Sequence, residues 1–341
     1  MNLLITGGCG FLGARLARTL LAQGSLALAG AAARPIARIF LADRVGPPAN
    51  LQADARVQFL EGDLGEQLAR GALPLAEVQA VFHLAAAVSG ECEADFDLGM
   101  RSNLDATRQL LEGCRNAAKQ TGHAPVFVFS SSVAVFGDSP EQPLPTVIED
   151  TTLPTPQNSY GIQKFIGEQL VADYTRKGFV QGRNVRLMTV SVRLGRPNGA
   201  ASSFLSGMLR EPLAGERARC PVTPGTAVAL SSPGNTVRGI LRAATASGAE
   251  WGARTAVNLP ALTTTVGEMA QALERVAGKE ATALIDWEPD AQIARIITGW
   301  PSRFHPQRAQ ALGLAADESF EAILRDYVRE NPSAIKLAVK D

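Results

Sequence analysis

Four cysteines are scattered through 341 residues (Cys9, Cys92, Cys114 and Cys220), with no CxxC pair and no metal-ligand spacing. That excludes a disulfide framework and a cysteine-built metal site. It leaves reduced thiols in a metal-free cytoplasmic protein as the expectation. An excess of one charge is missing as well. The 33 Lys and Arg balance 33 Asp and Glu, so nothing announces a nucleic-acid partner. Aromatic residues are scarce, at 6%, and no pair stands out that would stack a nucleotide base. Long apolar runs are absent too. The opening "MNLLITGG" has no basic lead-in and breaks at glycine after a few residues, unlike a signal peptide or a membrane span. What is present is 46% hydrophobic and 19% charged residues, the balance of a globular enzyme. The length fits one large α/β domain or two unequal lobes.

Short runs rich in branched residues alternate with helical patterns. "NLLIT", "ARIFLA", "RVQFL", "VQAVFHL", "PVFVFS", "VRLMTVSV" (185–192) and "RTAVNL" (254–259) read as strands. Several are apolar on both alternating positions, as strands buried on both faces are. Helices are expected over 11–23, about 95–120, 158–177 and 235–248. This alternation predicts an α/β fold built on a doubly wound parallel sheet. After residue 195 the rhythm changes: 195–230 is rich in Gly, Pro and Ser, and 260–341 reads as mostly helical. Thr265 and Glu268 form a capping box that opens one of these helices. The domain expectation is 1–194 plus about 231–259 for the sheet domain. About 195–230 plus 260–341 would form a smaller, mostly helical C-terminal lobe that holds substrate.

"LLITGGCGFLGARL" is a strand, a glycine turn and a helix, with Gly7, Gly10 and Gly13 in a G-x-x-G-x-x-G pattern. Gly7 allows the sharp turn, Gly10 lets backbone approach a pyrophosphate, and Gly13 allows close helix–strand packing. The helix start then offers free amides to the phosphates. Asp43 ends the second strand, where a carboxylate binds ribose hydroxyls and repels a 2′-phosphate. That favours NAD over NADP, with Arg44 next door arguing the other way. Asp43 comes about ten residues late because "SLALAGAAARPIA" lengthens the connection. Asp63 in "EGDL" is placed to meet the adenine amino edge. The small residues of "HLAAAVSG" let chain pass close to a cofactor, and His83 reads as a packed strand histidine.

The fifth strand ends in Ser130, Ser131 and Ser132 at its C-terminal edge, where open α/β sheets bind ligands. Alternation puts Ser130 and Ser132 on one face and Ser131 on the other. In "QNSYGIQKFIGEQL" (157–170), Tyr160, Lys164, Gly167 and Val171 share one helix face. Ile162, Phe165, Ile166 and Gln169 form the opposite stripe, expected to pack on the sheet or a neighbouring helix.

Together "TGGCGFLG", "GDL", "HLAA", "SNLDAT", "SSSVAVFG" and "YGIQK" resemble the extended short-chain dehydrogenase/reductase superfamily over nearly the whole chain. The resemblance implies a Rossmann sheet, NAD as cofactor and a catalytic set of Ser132, Tyr160 and Lys164. Tyr160 would take a hydroxyl proton as hydride leaves for the nicotinamide. A free Tyr has a pKa near ~10, which Lys164 and the nicotinamide charge would lower. Ser132 would orient the substrate oxygen.

The same resemblance implies cofactor contacts at Gly7, Gly10, Phe11, Leu12, Gly13, Asp43, Asp63, Leu64, Leu84, Ala85, Ala86, Asn103, Ser130, Tyr160, Lys164 and Leu194. Ala106 replaces the glycine of the family's SNxxGT pattern, and Phe136 stands where relatives carry Tyr. It also implies a homodimer formed through a four-helix bundle of 95–120 and 158–177.

The segment 191–216, the run from His83 to Arg115 and the tail "GWPSRFHPQRAQALGL" resemble the branch of the family that oxidises the C2 hydroxyl of D-erythronate. Substrate contacts are then expected from Ser89, Ser132, Tyr160, Arg196, Asn198 and Ser203, with Arg238 a further cation. Gly234 stands where that branch leads one to expect an arginine. The alternatives are a nucleotide-sugar 4-epimerase or dehydratase that keeps its NAD bound, and a non-catalytic dinucleotide-binding module. The presence of both Tyr160 and Lys164 argues against the last.

Overall fold

Strand β1 (Asn2–Thr6) lies inside a seven-stranded sheet, paired on both edges, and its Leu3, Leu4 and Ile5 are fully buried. Burial at consecutive positions means that both faces of the sheet are covered, which is why the strand reads as an unbroken apolar run. In this computed structural model residues 1–195 and 199–340 are described; Arg196 and Asn198, both expected at the substrate, lie outside them.

The remaining strands of the sheet are β2 (Arg38–Asp43), β3 (Val57–Glu61), β4 (Ala80–His83), β5 (Val126–Ser132), β6 (Gln181–Leu187) and β7 (Val257–Asn258). Their order is β7-β6-β5-β4-β1-β2-β3. The pairs β1–β2, β1–β4, β2–β3, β4–β5 and β6–β7 all run parallel. Chain order reverses between β1 and β4. In a doubly wound Rossmann sheet that is the crevice where ligands settle, beyond the carboxyl ends of the strands.

The crossover elements that matter below are α1 (Phe11–Gln23), α2 (Leu64–Ala69), α3 (Ser89–Ala94), α4 (Ala106–Thr121) and α5 (Ser159–Arg176). A π-helical turn over Met100–Asp105 leads into α4. Such turns carry weaker i→i+5 bonding and recur at functional sites. The late position of Asp43 is explained by a small antiparallel ribbon between Ser25–Leu26 and Arg34–Pro35, inserted ahead of β2.

Two compact units result. One comprises Met1–Val135, Asn158–Arg186 and Val237–Asn258, the other Phe136–Gln157, Leu187–Thr236 and Leu259–Asp341. The second unit packs helices Phe204–Leu213, Val266–Thr282 and Phe320–Glu330 around a core that includes Met208, Leu209, Met269, Leu273 and Leu324. A three-stranded sheet of Thr189–Val190, Ala227–Ser231 and Leu262–Thr265 accompanies them. The Thr265–Glu268 capping box is present, with Thr265 N donating to Glu268 Oε2 at 2.8 Å and Glu268 N to Thr265 Oγ1 at 3.2 Å.

The run expected as one strand over 185–192 is split. Strand β6 starts earlier, at Gln181, and ends at Leu187, whereas Thr189–Val190 pairs with Leu230–Ser231 in the second unit. The early start escaped the apolar pattern because Arg183, Asn184 and Arg186 are buried in β6, and polar residues read as loop. The return strand expected over 254–259 is shorter, only Val257–Asn258.

Candidate active site

The glycine turn divides its glycines by task. A Cβ on Gly13 would lie 2.1 Å from the Gly7 carbonyl oxygen, so this residue is glycine for packing alone. Gly7 has φ +65, and a Cβ there would meet Ala85 N at 2.8 Å; it serves both the turn and the approach of the chain after β4. Gly8, which the motif did not single out, is as tightly placed: its Cβ would meet Ile5 O at 2.8 Å and Leu41 at 3.0 Å. Gly10 is different. It is exposed, and a Cβ would meet only Gly7 O, at 3.3 Å. It opens α1 without a side-chain cap, so the first amides of the helix, from Phe11 on, take no side-chain partner from the N-cap.

Asp43 sits beside this turn. Its Oδ2 accepts from Cys9 N at 3.0 Å and its Oδ1 from Arg44 N at 2.7 Å, holding the carboxylate at the end of β2. Asp63 caps α2 by accepting from Glu66 N, and its Oδ2 is ion-paired with Arg44, whose Nε lies 3.0 Å away. Burial pushes the Asp63 carboxyl up, but the Arg44 guanidinium and the Glu66 amide outweigh it and hold the group below the usual carboxylate range. Leu64 opens α2 directly after it.

Beyond β4, Leu84 N donates to Thr6 O at 3.1 Å and Ala85 N to Thr6 Oγ1 at 3.3 Å, so Leu84–Ala86 runs close above the glycine turn. His83 is a buried structural residue. Its ring nitrogens meet Thr6 Oγ1 at 2.7 Å and Thr107 Oγ1 at 2.9 Å, and burial followed by the Lys164 charge pushes its pKa down to about 3. Asn103, in the π-helical turn, holds the next stretch. Its Oδ1 accepts from Ala87 N at 2.8 Å, and its Nδ2 donates to Ala87 O at 3.1 Å and Gln163 Oε1 at 2.9 Å. Ser89 is buried at the start of α3.

Helix α5 is capped by Asn158, whose side chain accepts from Gly161 N at 2.8 Å. Its buried face is the reverse of the one expected. Gly161, Gln163, Lys164, Gly167, Glu168 and Val171 are buried, while Ile162 and Ile166 are 45% and 37% exposed. Gly167 explains the inversion: a Cβ there would lie 2.6 Å from the Phe129 ring, so the helix presses its small and polar side onto β5. Lys164 thereby points inward. Its Nζ donates to Ser130 O at 2.8 Å and lies 4.9 Å from the Phe129 ring centre and 5.7 Å from that of Tyr160. Burial pulls the Lys164 pKa down to about 8, against a smaller upward pull from Cys92 and Glu168. Tyr160 is half-buried.

The serines alternate as expected. Ser130 Oγ donates to His83 O at 2.9 Å, whereas Ser131 Oγ turns the other way and donates to Glu168. Ser132 Oγ accepts from Ala134 N at 3.1 Å, a bond that leaves its proton to give.

One fold unit thus brings together Ser132, Tyr160, Lys164, Ser130 and Asn103 at the ends of β4 and β5, next to the glycine turn and Asp43. Leu194 (half exposed) and Ser203 (in the turn before helix Phe204–Leu213) belong to the second unit. Phe136 is fully buried there, with its ring 6.2 Å from Phe304. Arg238 is exposed. Motif reading passed over Cys92, Gln163, Glu168 and Arg186, all buried beside the named residues. The i, i+4 spacing of Lys164 and Glu168 was the one signal available.

The model of the NAD dependent epimerase/dehydratase family matches residues 3–244, from the glycine turn through α5 and β6. The chain belongs to that family. It is 48% identical to a D-erythronate dehydrogenase from Cupriavidus necator over 97% of this chain and 98% of that enzyme. A D-erythronate dehydrogenase from Haemophilus influenzae is 41% identical over 96% and 99%. Among solved structures, the nucleoside-diphosphate-sugar epimerase from Agrobacterium tumefaciens superposes with a TM-score of 0.87 at 39% identity, covering 98% of this chain and 95% of that one.

The family's NAD fits the residues present. Gly10 has no side chain between the turn and solvent, α1 starts there without a side-chain cap, and the Asp43 carboxylate is held beside the turn at the end of β2. Among the described residues no group of His, Cys, Asp and Glu is arranged to hold a metal ion, and no helix is long and apolar enough to cross a membrane.

Proposed function

We propose that this protein is an NAD-dependent dehydrogenase that oxidises the C2 hydroxyl of a small sugar acid, D-erythronate or a close aldonate, to the 2-keto acid. The observation that carries the chemistry is Lys164, a buried ammonium held on Ser130 O and facing the Tyr160 ring. A cation in that place stabilises a phenolate, which makes Tyr160 the base that takes the substrate hydroxyl proton. Ser132 gives its proton to the substrate oxygen and orients it. NAD, when bound, accepts the hydride from C2. Asn103 holds the Ala87 stretch, and Ser89 next to it is a candidate for the substrate hydroxyls. The choice of an aldonate is supported by the 48% and 41% identity to two D-erythronate dehydrogenases along their full lengths. The carboxylate partner is sought among Arg196, Asn198 and Ser203, since Gly234 brings no side chain.

The test is NADH formation at alkaline pH across four- to six-carbon aldonates. Activity on D-erythronate is expected, and silence on the whole panel overturns the reading. The 39% identity to a structure named as a nucleoside-diphosphate-sugar epimerase keeps one rival in view. Conversion of a UDP-sugar with retained NAD and no net NADH would select that rival.

We further propose a homodimer assembled through a four-helix bundle of α4 and α5 with their partner copies. Ile162 and Ile166 on α5, exposed in the single chain, support it, as does the 60% exposed Phe96. A cytoplasmic location accords with four cysteines that are all free.

A further inference from the structure

Behind the Tyr160–Lys164 face lies a buried ion pair that the proposed reaction does not use. Glu168 is one helical turn beyond Lys164 on α5. Its carboxylate takes Arg186 in a two-pronged contact, Nε to Oε1 at 2.8 Å and Nη2 to Oε2 at 2.7 Å. The two side chains are 2% and 5% exposed. Ser131 Oγ donates to the same carboxylate, Asn184 Nδ2 donates to Glu168 O at 3.0 Å, and Arg186 Nη1 reaches Asn258 Oδ1 at 3.4 Å. One carboxylate thus joins α5 to β5 and β6, and through Arg186 to β7.

Stability alone does not account for such a pair, because apolar residues of the same volume serve as well or better in a core. Its position does account for it. Ser131 lies between Ser130, whose carbonyl receives Lys164, and Ser132. The carboxylate therefore fixes the strand end that carries both. It is also a charge about one turn, roughly 5–6 Å between Cβ atoms, from Lys164. We propose that Glu168 and Arg186 are positioning residues whose balanced charges set the working pH range of the Tyr160–Lys164 pair. This rests on the reading of Tyr160 as the base.

Most of the other charged or titratable groups on the elements packed around Lys164 are neutral or lie towards the surface; Arg183 on β6 is buried too, but its guanidinium donates to the Gly182 and Ala246 carbonyls. His83 on β4 is neutral in its hydroxyl cage, and Cys92 on α3 is a buried thiol pushed up by burial. Glu91 and Glu93 on α3, Asp95 and Asp97 after it, and Arg101 on the π-helical turn are exposed; Asp105 is half-buried. Glu168 and Arg186 are thus the buried charges beside Lys164 whose removal alters the local field without touching substrate.

The experiment is the pH dependence of kcat and kcat/KM. Glu168→Gln leaves Arg186 uncompensated. The added positive field favours phenolate over phenol and neutral amine over ammonium, so both limbs of the profile move to lower pH. Arg186→Met leaves Glu168 uncompensated and moves both limbs to higher pH. Each shift is expected to be about one pH unit, the scale of one charge at this range under an effective dielectric near ~20. The double variant Glu168→Gln/Arg186→Met restores the parent profile, and Arg186→Lys, which keeps the charge, shifts it little. Thermal stability falls in both single variants, so a merely structural role would move activity in one direction only. If Arg186→Met does not fold, Glu168→Gln against the double variant still gives the sign. Shifts of the same sign, or none, overturn the proposal. Tyr160→Phe is the control: if it turns over normally, the assignment of the base fails instead.

Discussion

Lys164 Nζ donates to the Ser130 carbonyl at 2.8 Å, tying the middle of α5 to the end of β5. The bond spends one ammonium proton on backbone and leaves two for other partners. It also keeps the cation buried beside the Tyr160 ring, where its charge is screened little by solvent.

That burial has a measurable cost in the cofactor-free protein. The native Lys164 pKa is about 8, against an ordinary 10.5. Below pH 8 the native amine is charged and the full penalty applies. Between 8 and 10.5 the unfolded chain binds the proton more readily than the native one, so stability rises with pH across that window. The expected gain is on the order of 3 kcal/mol. Urea unfolding of wild type and Lys164→Met at several pH values checks this. The difference between them should move towards the wild type from pH 8 to 10.5, and parallel curves would refute the assignment.

The glycines of the turn should separate into two classes. Gly13→Ala forces a Cβ onto the Gly7 carbonyl and should lower stability by about 1–3 kcal/mol, with NAD binding falling alongside. Gly10→Ala brings its methyl to 3.3 Å from the Gly7 carbonyl oxygen, a contact relieved by a shift of a few tenths of an ångström, so the melting temperature should fall far less than for Gly13→Ala while NAD affinity drops, by about tenfold or more. Calorimetry for folding and titration for binding would distinguish them. A Gly10→Ala protein that binds NAD normally would remove this residue from the phosphate site.

Cofactor choice should turn on Asp43. Its carboxylate is fixed by Cys9 N and Arg44 N, and under the proposed function it accepts ribose hydroxyls and repels a 2′-phosphate. Asp43→Asn is expected to weaken NAD binding about tenfold and narrow the gap to NADP, a loss of roughly 1.4 kcal/mol. Arg44, which stays paired with Asp63 in this variant, is the nearby cation. Fluorescence titration with both dinucleotides reads the outcome, and an unchanged NAD to NADP ratio would count against the role.

The exposed isoleucines of α5 supply a test of assembly. Replacing Ile162 and Ile166 together by Asp should convert a dimer to monomers in sedimentation and leave the monomer folded, since both side chains are already open to solvent in the single chain. A dimer that survives the double change is not built on this face.

Much of this protein was determined locally, by residues acting on their sequence neighbours. Strand β1, the glycine turn, α1 over Phe11–Gln23 and the Thr265–Glu268 box could be read directly, because turn geometry, capping and apolar runs are short-range physics. Strand alternation placed Ser130 and Ser132 on one face and helix spacing placed Tyr160 and Lys164 on another, but it was the resemblance to the family, not local geometry, that joined the two as one set.

Which face turned inward was decided by tertiary structure alone. Gly167 lets α5 press against Phe129, so Lys164 and Glu168 go in and Ile162 and Ile166 stay out, against what hydrophobicity favours. The same holds for β6, where Arg183, Asn184 and Arg186 are buried. A buried charge is tolerable only when its partner arrives from elsewhere in the chain. Arg186 meets Glu168 18 residues away, and no local pattern announces such a meeting.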